Sequence, residues 1–248
     1  MSVAVEINNL KKQFKGAWTP SLDGLSLRMD EKQVTGLLGP NGAGKTTTIN
    51  VLCGLVKPDS GTASIFDKDC STQQYYLRNI IGVVPQRIAL FSQLTAWENI
   101  NYIGQLYNLK KPVIKERGKH LLQRMGLEAH AHKRVGTYSG GMKRRANIIA
   151  SLLHHPRLII LDEPTAGVDV QSRALILEFL KEYKAMGKTI LYTSHLMEEA
   201  EELCDDVVIM DEGKFVTSGT PSALISQTPN CEKLEDVFLH YTGHSLRD

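Results

Sequence analysis

The sequence predicts an α/β fold, a mostly parallel central sheet covered by helices on both faces. Three observations predict it. A glycine-rich run, Gly39-Pro40-Asn41-Gly42-Ala43-Gly44-Lys45-Thr46-Thr47, separates strand-like Val34, Leu37 and Leu38 from the helix-like Thr48-Ile49-Asn50-Val51-Leu52-Cys53. Three apolar runs, Leu158-Ile159-Ile160-Leu161, Thr189-Ile190-Leu191-Tyr192 and Val207-Val208-Ile209-Met210, alternate with helical stretches near 171–186 and 196–204. Strands that alternate with helices pair in parallel and are covered on both faces. Between the two strand-rich parts, from about 87 to 156, the texture is helical.

Each element has its own signal. Val3, Val5 and Ile7 alternate with polar or small residues, as does Leu25-Ser26-Leu27-Arg28-Met29, the pattern of half-buried strands. The helix after the glycine-rich run ends near Gly54. Pro58-Asp59-Ser60-Gly61 signals a turn before a short strand over 62–66. Ile80-Ile81-Gly82-Val83-Val84 is a buried strand closed by Pro85. Thr95-Ala96-Trp97-Glu98 has the spacing of a capping box, and Ile100, Ile103, Leu106 and Tyr107 follow at helical spacing. A second helix spans about 113–125 and stops at Gly126. A third spans about 142–154, where Pro156 blocks its continuation. Asp211-Glu212-Gly213-Lys214 is a hairpin turn into a strand over 215–218, and Thr220-Pro221 caps a last helical region. No internal repeat or low-complexity segment interrupts this order.

Composition narrows the function classes. Hydrophobic residues (42%) and charged residues (23%) support an ordinary core, and a net charge of +2 is too small to argue for nucleic acid. Met1-Ser2-Val3-Ala4-Val5-Glu6 lacks the basic start and apolar core of a signal peptide. No apolar run approaches the roughly 18 residues of a membrane span. Any membrane role is therefore expected through a partner. Four widely spaced cysteines without C-x-x-C argue for reduced thiols rather than disulfides or zinc.

The glycine-rich run fits G-x-x-x-x-G-K-[ST]. Its glycines let successive N–H groups point at phosphate oxygens, Lys45 adds positive charge near the β- and γ-phosphates, and the Thr46 hydroxyl suits Mg²⁺. The following helix aims its positive dipole end at the same anion. This is a nucleotide site. Asp162-Glu163 ends a buried strand. Alone it is as readily an acidic turn, but beside a phosphate loop Asp162 suits Mg²⁺ and Glu163 suits the attacking water. Tyr138-Ser139-Gly140-Gly141-Met142 opens a helix, as a plain N-cap or as a second anion site.

These motifs, with Gln86 after a strand, Ala166-Gly167-Val168-Asp169 after the acids and His195 after Thr193-Ser194, resemble in order and spacing the nucleotide-binding subunit of ATP-binding cassette (ABC) transporters. The resemblance covers about residues 3–220. It implies a P-loop NTPase fold of ABC type, with an N-terminal antiparallel β subdomain and an inserted helical subdomain. The expected organisation is a single nucleotide-binding domain over 1–248. Its ATP-binding core lies at about 1–86 and 157–222, its helical subdomain at 87–156 and its helical tail at 223–248.

The family implies the remaining roles. Two cassettes pack head to tail, and Ser139, Gly140 and Gly141 of one meet the γ-phosphate held by Lys45 of the other. The partner cassette is a second copy or a related chain. Gly39, Pro40, Asn41, Gly42, Ala43, Gly44, Lys45, Thr46 and Thr47 bind ATP, while Thr46 and Asp162 hold Mg²⁺ and Gln86 touches Mg²⁺ or the attacking water. Gln86 also senses the transport partner. His195 bonds the γ-phosphate and helps orient Glu163, and Asp169 communicates across the dimer. Phe14 stacks on adenine, with Trp18 as a rival because Gly16-Ala17-Trp18-Thr19-Pro20 is longer than usual. The signature departs from the commoner form at Tyr138 and Met142, leaving its serine and glycines intact.

Glu163-Pro164-Thr165-Ala166-Gly167-Val168-Asp169 resembles ATPases of drug, lipid, polysaccharide and antibiotic-resistance exporters, and Leu234-Glu235-Asp236-Val237-Phe238 is similar to their tails. The expected function is ATP hydrolysis that powers an exporter with a separate transmembrane chain. The expected location is the cytoplasmic face of the membrane, with no direct nucleic acid binding and no covalently bound cofactor. The competing reading is a soluble non-transport ABC ATPase acting on ribosomes or nucleic acid. Such proteins usually carry two cassettes or long coiled coils, and the sequence has neither. A cassette that binds ATP without turnover is disfavoured by Glu163 and His195.

Other signals read as structural. His130-Ala131-His132 and His154-His155 lack the spacing of a metal site. Lys110-Lys111 and Lys143-Arg144-Arg145 read as solvated helix faces, the latter also near nucleotide. Phe91, Leu94 and Trp97 are either core or, as the family implies, contacts for the membrane subunit.

Overall fold

A computed structural model describes residues 2–243. Asn79–Met186 forms one compact unit and the chain on either side of it forms another. The flanking unit opens with β1 (Val3–Lys12), β2 (Leu22–Asp30), β3 (Val34–Leu38), α1 (Lys45–Leu52), β4 (Ser60–Ile65), β5 (Lys68–Asp69) and α2 (Gln74–Leu77). The middle unit comprises β6 (Ile81–Val84), α3 (Ala96–Leu106), α4 (Lys111–Arg124), α5 (Gly140–Leu152), β7 (Leu158–Asp162) and α6 (Val170–Ala185). The flanking unit resumes with β8 (Thr189–Ser194), α7 (Met197–Leu203), β9 (Asp206–Asp211), β10 (Lys214–Gly219), α8 (Pro221–Gln227) and α9 (Leu234–Thr242).

In the flanking unit, β2-β1-β4-β5 form an antiparallel sheet. Alternation buries Val5 and Ile7 on β1 and Leu25, Leu27 and Met29 on β2, and a register shift after Ile7 precedes the buried Leu10. A second set of strands runs β10-β9-β3-β8, with β3 parallel to both β8 and β9. Every residue of β3 and β8 is buried, as expected of strands covered on both faces. Strand β10 returns antiparallel through a two-residue turn, and the positive φ of Glu212 (46°) and Gly213 (75°) matches the twist of a tight hairpin. Thr220 caps α8 with Pro221 in its first turn. Helix α9 buries Leu234, Val237 and Phe238, and the Leu234 N–H donates to Glu201 of α7 (3.1 Å). Residues 244–248 of the expected tail lie outside the described residues.

In the middle unit β6 and β7 pair in parallel, and α3, α4 and α5 pack on one another. The capping box of α3 is formed: Glu98 N–H donates to the Thr95 hydroxyl (3.1 Å) and Thr95 N–H to the Glu98 carboxylate (2.7 Å). Helix α4 takes Pro112 in its first turn. Helix α5 starts earlier than its apolar periodicity predicts because the Ser139 side chain caps it. Among the described residues no helix is long and apolar enough to cross a membrane, and no group of three His, Cys, Asp or Glu side chains is arranged to hold a metal.

His154 has a structural role. Its ring stacks on Tyr107 (centroids 3.8 Å apart, 1° between planes), and Nε2–H donates to the Ile81 carbonyl (2.9 Å). Nδ1 is buried without a partner among the described residues, so a proton there has nowhere to bond. Burial accordingly holds the imidazole below its ordinary pKa. Below about pH 6.5 the unfolded chain takes up this proton first. The stability that neutral His154 contributes is thus present above that value and lost as pH falls towards the folded pKa. Urea unfolding at pH 7.5 and 5.5 should show a larger loss for the wild type than for His154→Gln, and equal losses would contradict this role.

Candidate active site

The phosphate loop joins β3 to α1. Its curl needs chain with no side chain at two places. A Cβ on Gly39 would lie 2.2 Å from the Met210 carbonyl oxygen, and one on Gly44 would lie 2.5 Å from that of Ser21. Gly44, at φ 104°, also occupies backbone space that side chains rarely reach. Ala43 N–H donates to the Pro40 carbonyl (3.1 Å), and Gly213 N–H to the Ala43 carbonyl (3.0 Å). Lys45 is 5% exposed, and its ammonium donates to the carbonyls of Gly39 (2.7 Å) and Pro40 (3.1 Å) inside the loop. Asn41, Gly42 and Thr46 face solvent and Thr47 is half-buried. The loop is thus an exposed rim of backbone around a held cation, a cradle for a polyphosphate.

The flanking unit carries two further predicted residues. His195 follows β8 and is half-buried. The turn around it is tied on both sides: Leu196 N–H donates to the Ser194 hydroxyl (2.9 Å), and the buried Tyr192 hydroxyl donates to the Glu199 carboxylate of α7. Phe14 is exposed just beyond β1, on a loop fixed by Gln13 N–H to Asp59 (2.7 Å) and Ala17 N–H to the Phe14 carbonyl (3.0 Å). The Lys12 ammonium lies 5.6 Å from its ring centre, and Trp18 is 99% exposed.

The middle unit carries the acids. Asp162 and Glu163 close β7, 4% and 7% exposed. Glu163 stands in the left-handed region (φ 48°), so the chain turns sharply as the strand ends. The Gln86 amide donates to the Glu163 carboxylate (2.9 Å), which brings two predicted residues together. The solvated-face reading of Lys143-Arg144-Arg145 is corrected at Arg144, which is 5% exposed. Its guanidinium donates to the carbonyls of Pro85 (2.9 Å) and Gln86 (2.7 Å). Burial pulls its pKa down while Asp162 and Glu163 favour its charge. Arg145 is half-buried and donates to the Met125 carbonyl (2.6 Å). Three consecutive helical residues span about 200°, so they cannot share one solvated face. That signal was available in the sequence.

Two helix starts lie side by side in this unit. Ser139 caps α5 by accepting from Met142 N–H (3.2 Å), which leaves its own O–H as a donor beside exposed Gly140. Asp169 caps α6 by accepting from Ser172 N–H (2.9 Å), and that bond holds its carboxyl below the usual range. A Cβ on Gly141 would lie 2.1 Å from the Ser172 hydroxyl, so only glycine lets the two starts meet. Tyr138 is buried, and its hydroxyl donates to the His130 carbonyl (2.6 Å), locking the turn before Ser139.

A strand-to-helix phosphate loop around a held lysine, in a chain whose buried β7 ends in two acids, defines a phosphate-loop nucleotide-binding protein. The profile of the ABC transporter family matches residues 22–166, and the chain belongs to that family as an ATP-binding, ATP-hydrolysing cassette. It is 44% identical over 223 residues to the linearmycin resistance ATP-binding protein LnrL of Bacillus subtilis (strain 168), covering 90% of this chain and 71% of that protein. It is 40% identical over 231 residues to the Nod factor export ATP-binding protein I of Burkholderia lata, covering 93% and 75%. The fold matches a solved ATP-binding subunit of an ABC transporter with TM-score 0.87 at 28% identity, over 96% of this chain and 99% of that one. It also matches a dimeric ATP-binding cassette in a post-hydrolysis state bound to ADP and Pi, with TM-score 0.80 at 25% identity over 87% and 98%.

The loop geometry makes a prediction. Gly44→Ala places a methyl 2.5 Å from the Ser21 carbonyl oxygen at a φ of 104°, so the loop backbone must shift. Affinity for a fluorescent ATP analogue should fall about tenfold or more, a loss of about 1.4 kcal/mol. An unchanged affinity would show that the loop does not need this backbone.

Proposed function

We propose that this cassette dimerises head to tail around two ATP molecules and powers export through a separate transmembrane chain. The observation that supports it best is the start of α5. An exposed Ser139 hydroxyl and the first N–H groups of a 13-residue helix form an anion site on a chain that already has a phosphate loop. A second copy, or a related cassette, supplies the phosphate for it.

Lys45, Thr46, Thr47 and the loop N–H groups bind the phosphates, and Phe14 or Trp18 covers the adenine. The oxygen donors Thr46, Gln86 and Asp162 suit a hard cation, with the buried Asp162 supplying its carboxylate. These residues would hold Mg²⁺, which when bound neutralises charge developing on the β- and γ-phosphate oxygens. Glu163 orients a water and accepts its proton as the water oxygen bonds the γ-phosphorus and ADP leaves. His195 donates to the γ-phosphate and steadies Glu163, while Gln86 ties that carboxylate to the loop after β6. Asp169 carries the state of one site to the other.

Charge-assisted hydrogen bonds contribute about 1.5–3 kcal/mol each. A few at each of two sites offset an association cost of about 4–15 kcal/mol. ATP therefore closes the dimer, and loss of the γ-phosphate opens it. Relatives named for linearmycin resistance and Nod factor export support outward transport. Phe91, exposed and edge-on to Tyr102, and half-buried Leu94 and Trp97 follow Gln86, where a membrane subunit at the cytoplasmic face would engage it.

Glu163→Gln should retain ATP and elute as a dimer in size-exclusion chromatography with Mg²⁺ATP. Adding Ser139→Arg should return it to monomer. A double variant that still dimerises with ATP would refute the trans-phosphate reading.

A further inference from the structure

We propose that Arg144 is a positioning residue for ATP hydrolysis: its guanidinium, held on the Pro85 and Gln86 carbonyls, fixes the Gln86 side chain on the Glu163 carboxylate. The proposal rests on the roles assigned above to Gln86 and Glu163.

Strand β6 ends at Val84, so the carbonyls of Pro85 and Gln86 lie beyond its pairing with β7. Proline offers no N–H to anchor the segment either. Helix α5 supplies the anchorage instead. Arg144 binds the start of the segment, and Asn147, three residues on and 3% exposed, accepts from the Ala89 N–H (3.1 Å). Residues three apart share a helix face, so one face of α5 grips the segment at both ends. Gln86 itself is exposed, and its long side chain has many rotamers to lose before it can hold Glu163. Fixing its main chain removes the separate backbone cost of placing that side chain.

The chemistry requires arginine. A planar fork serves two carbonyls at once, whereas the lysine ammonium is a single point charge with no such fork. Burying a guanidinium to tie down a loop is unfavourable unless carboxylates balance it, and Asp162 and Glu163 are the carboxylates that act on this one. The same helix begins at Ser139, so an anion engaged there bears on the element that holds Gln86.

The test is a double-mutant cycle on the full chain, reading steady-state phosphate release, affinity for a non-hydrolysable ATP analogue, and thermal melting. Arg144→Gln should lower kcat about tenfold or more with KM and analogue affinity within about twofold, and Arg144→Lys should recover only part of the rate. In a Gln86→Ala background, Arg144→Gln should slow turnover no further than about twofold, because the lost contact is already gone. An unchanged kcat for Arg144→Gln, or a full tenfold effect in both backgrounds, overturns the proposal. Should Arg144→Gln fail to fold on melting, Arg144→Lys takes its place in the cycle. If Gln86→Ala and Glu163→Gln both turn over like the wild type, the reading of the site itself fails, and this proposal with it.

Discussion

A polyphosphate held by backbone must meet N–H groups that no helix or sheet has already used, and helix starts supply them. This constraint organises both units. In the flanking unit β3 is buried throughout and pairs in parallel with β8 and β9, which makes a rigid base for the loop that ends at Lys45. In the middle unit Ser139 and Asp169 cap two helices whose starts touch across Gly141. The glycines at 39, 44 and 141 answer to neighbours rather than to flexibility as such: the carbonyls of Met210 and Ser21, and the hydroxyl of Ser172.

The second constraint is electrostatic. Two adjacent carboxylates, Asp162 and Glu163, are nearly inaccessible at the end of β7. A buried negative pair persists only with compensation. The Gln86 amide supplies a hydrogen bond and Arg144 supplies the opposite charge. The left-handed backbone at Glu163 turns the second acid out of the strand's alternation, so adjacent residues need not point to opposite faces. Strain of this kind is found where a side chain must be aimed.

Much of this was legible in the sequence because it is local. The phosphate loop, the capping box at Thr95 and Glu98, the Thr220-Pro221 start and the Asp211–Lys214 turn each depend on residues within a few positions. Elements too short to show a period, β5 with two residues and α2 with four, were not legible. The start of α5 at Gly140 was legible from Ser139-Gly140-Gly141 as a capped helix opening, although the apolar periodicity begins only at about Met142. Arg144 was misread for another reason. A basic run normally marks solvent; that three consecutive helical residues cannot all share one solvated face was legible, whereas the carbonyls nearly 60 residues earlier that the middle one reaches were not. Phe14 and Trp18 remained rivals because both lie on an exposed loop where no periodicity ranks them.

The relatives and the site agree on an ATP-hydrolysing cassette, and the central claim beyond that is that each ATP is shared between two molecules. Mixing Lys45→Ala protein with Ser139→Ala protein, whose small side chain does not block the dimer, tests it most directly. Each variant alone lacks a part of both sites in its dimer, but a mixed dimer regains one complete site, built from the lysine of one molecule and the serine of the other. Phosphate release by the mixture should recover to about a quarter of the wild-type rate, since half the dimers are mixed and each has one of two sites. A mixture no faster than either variant alone would contradict the account.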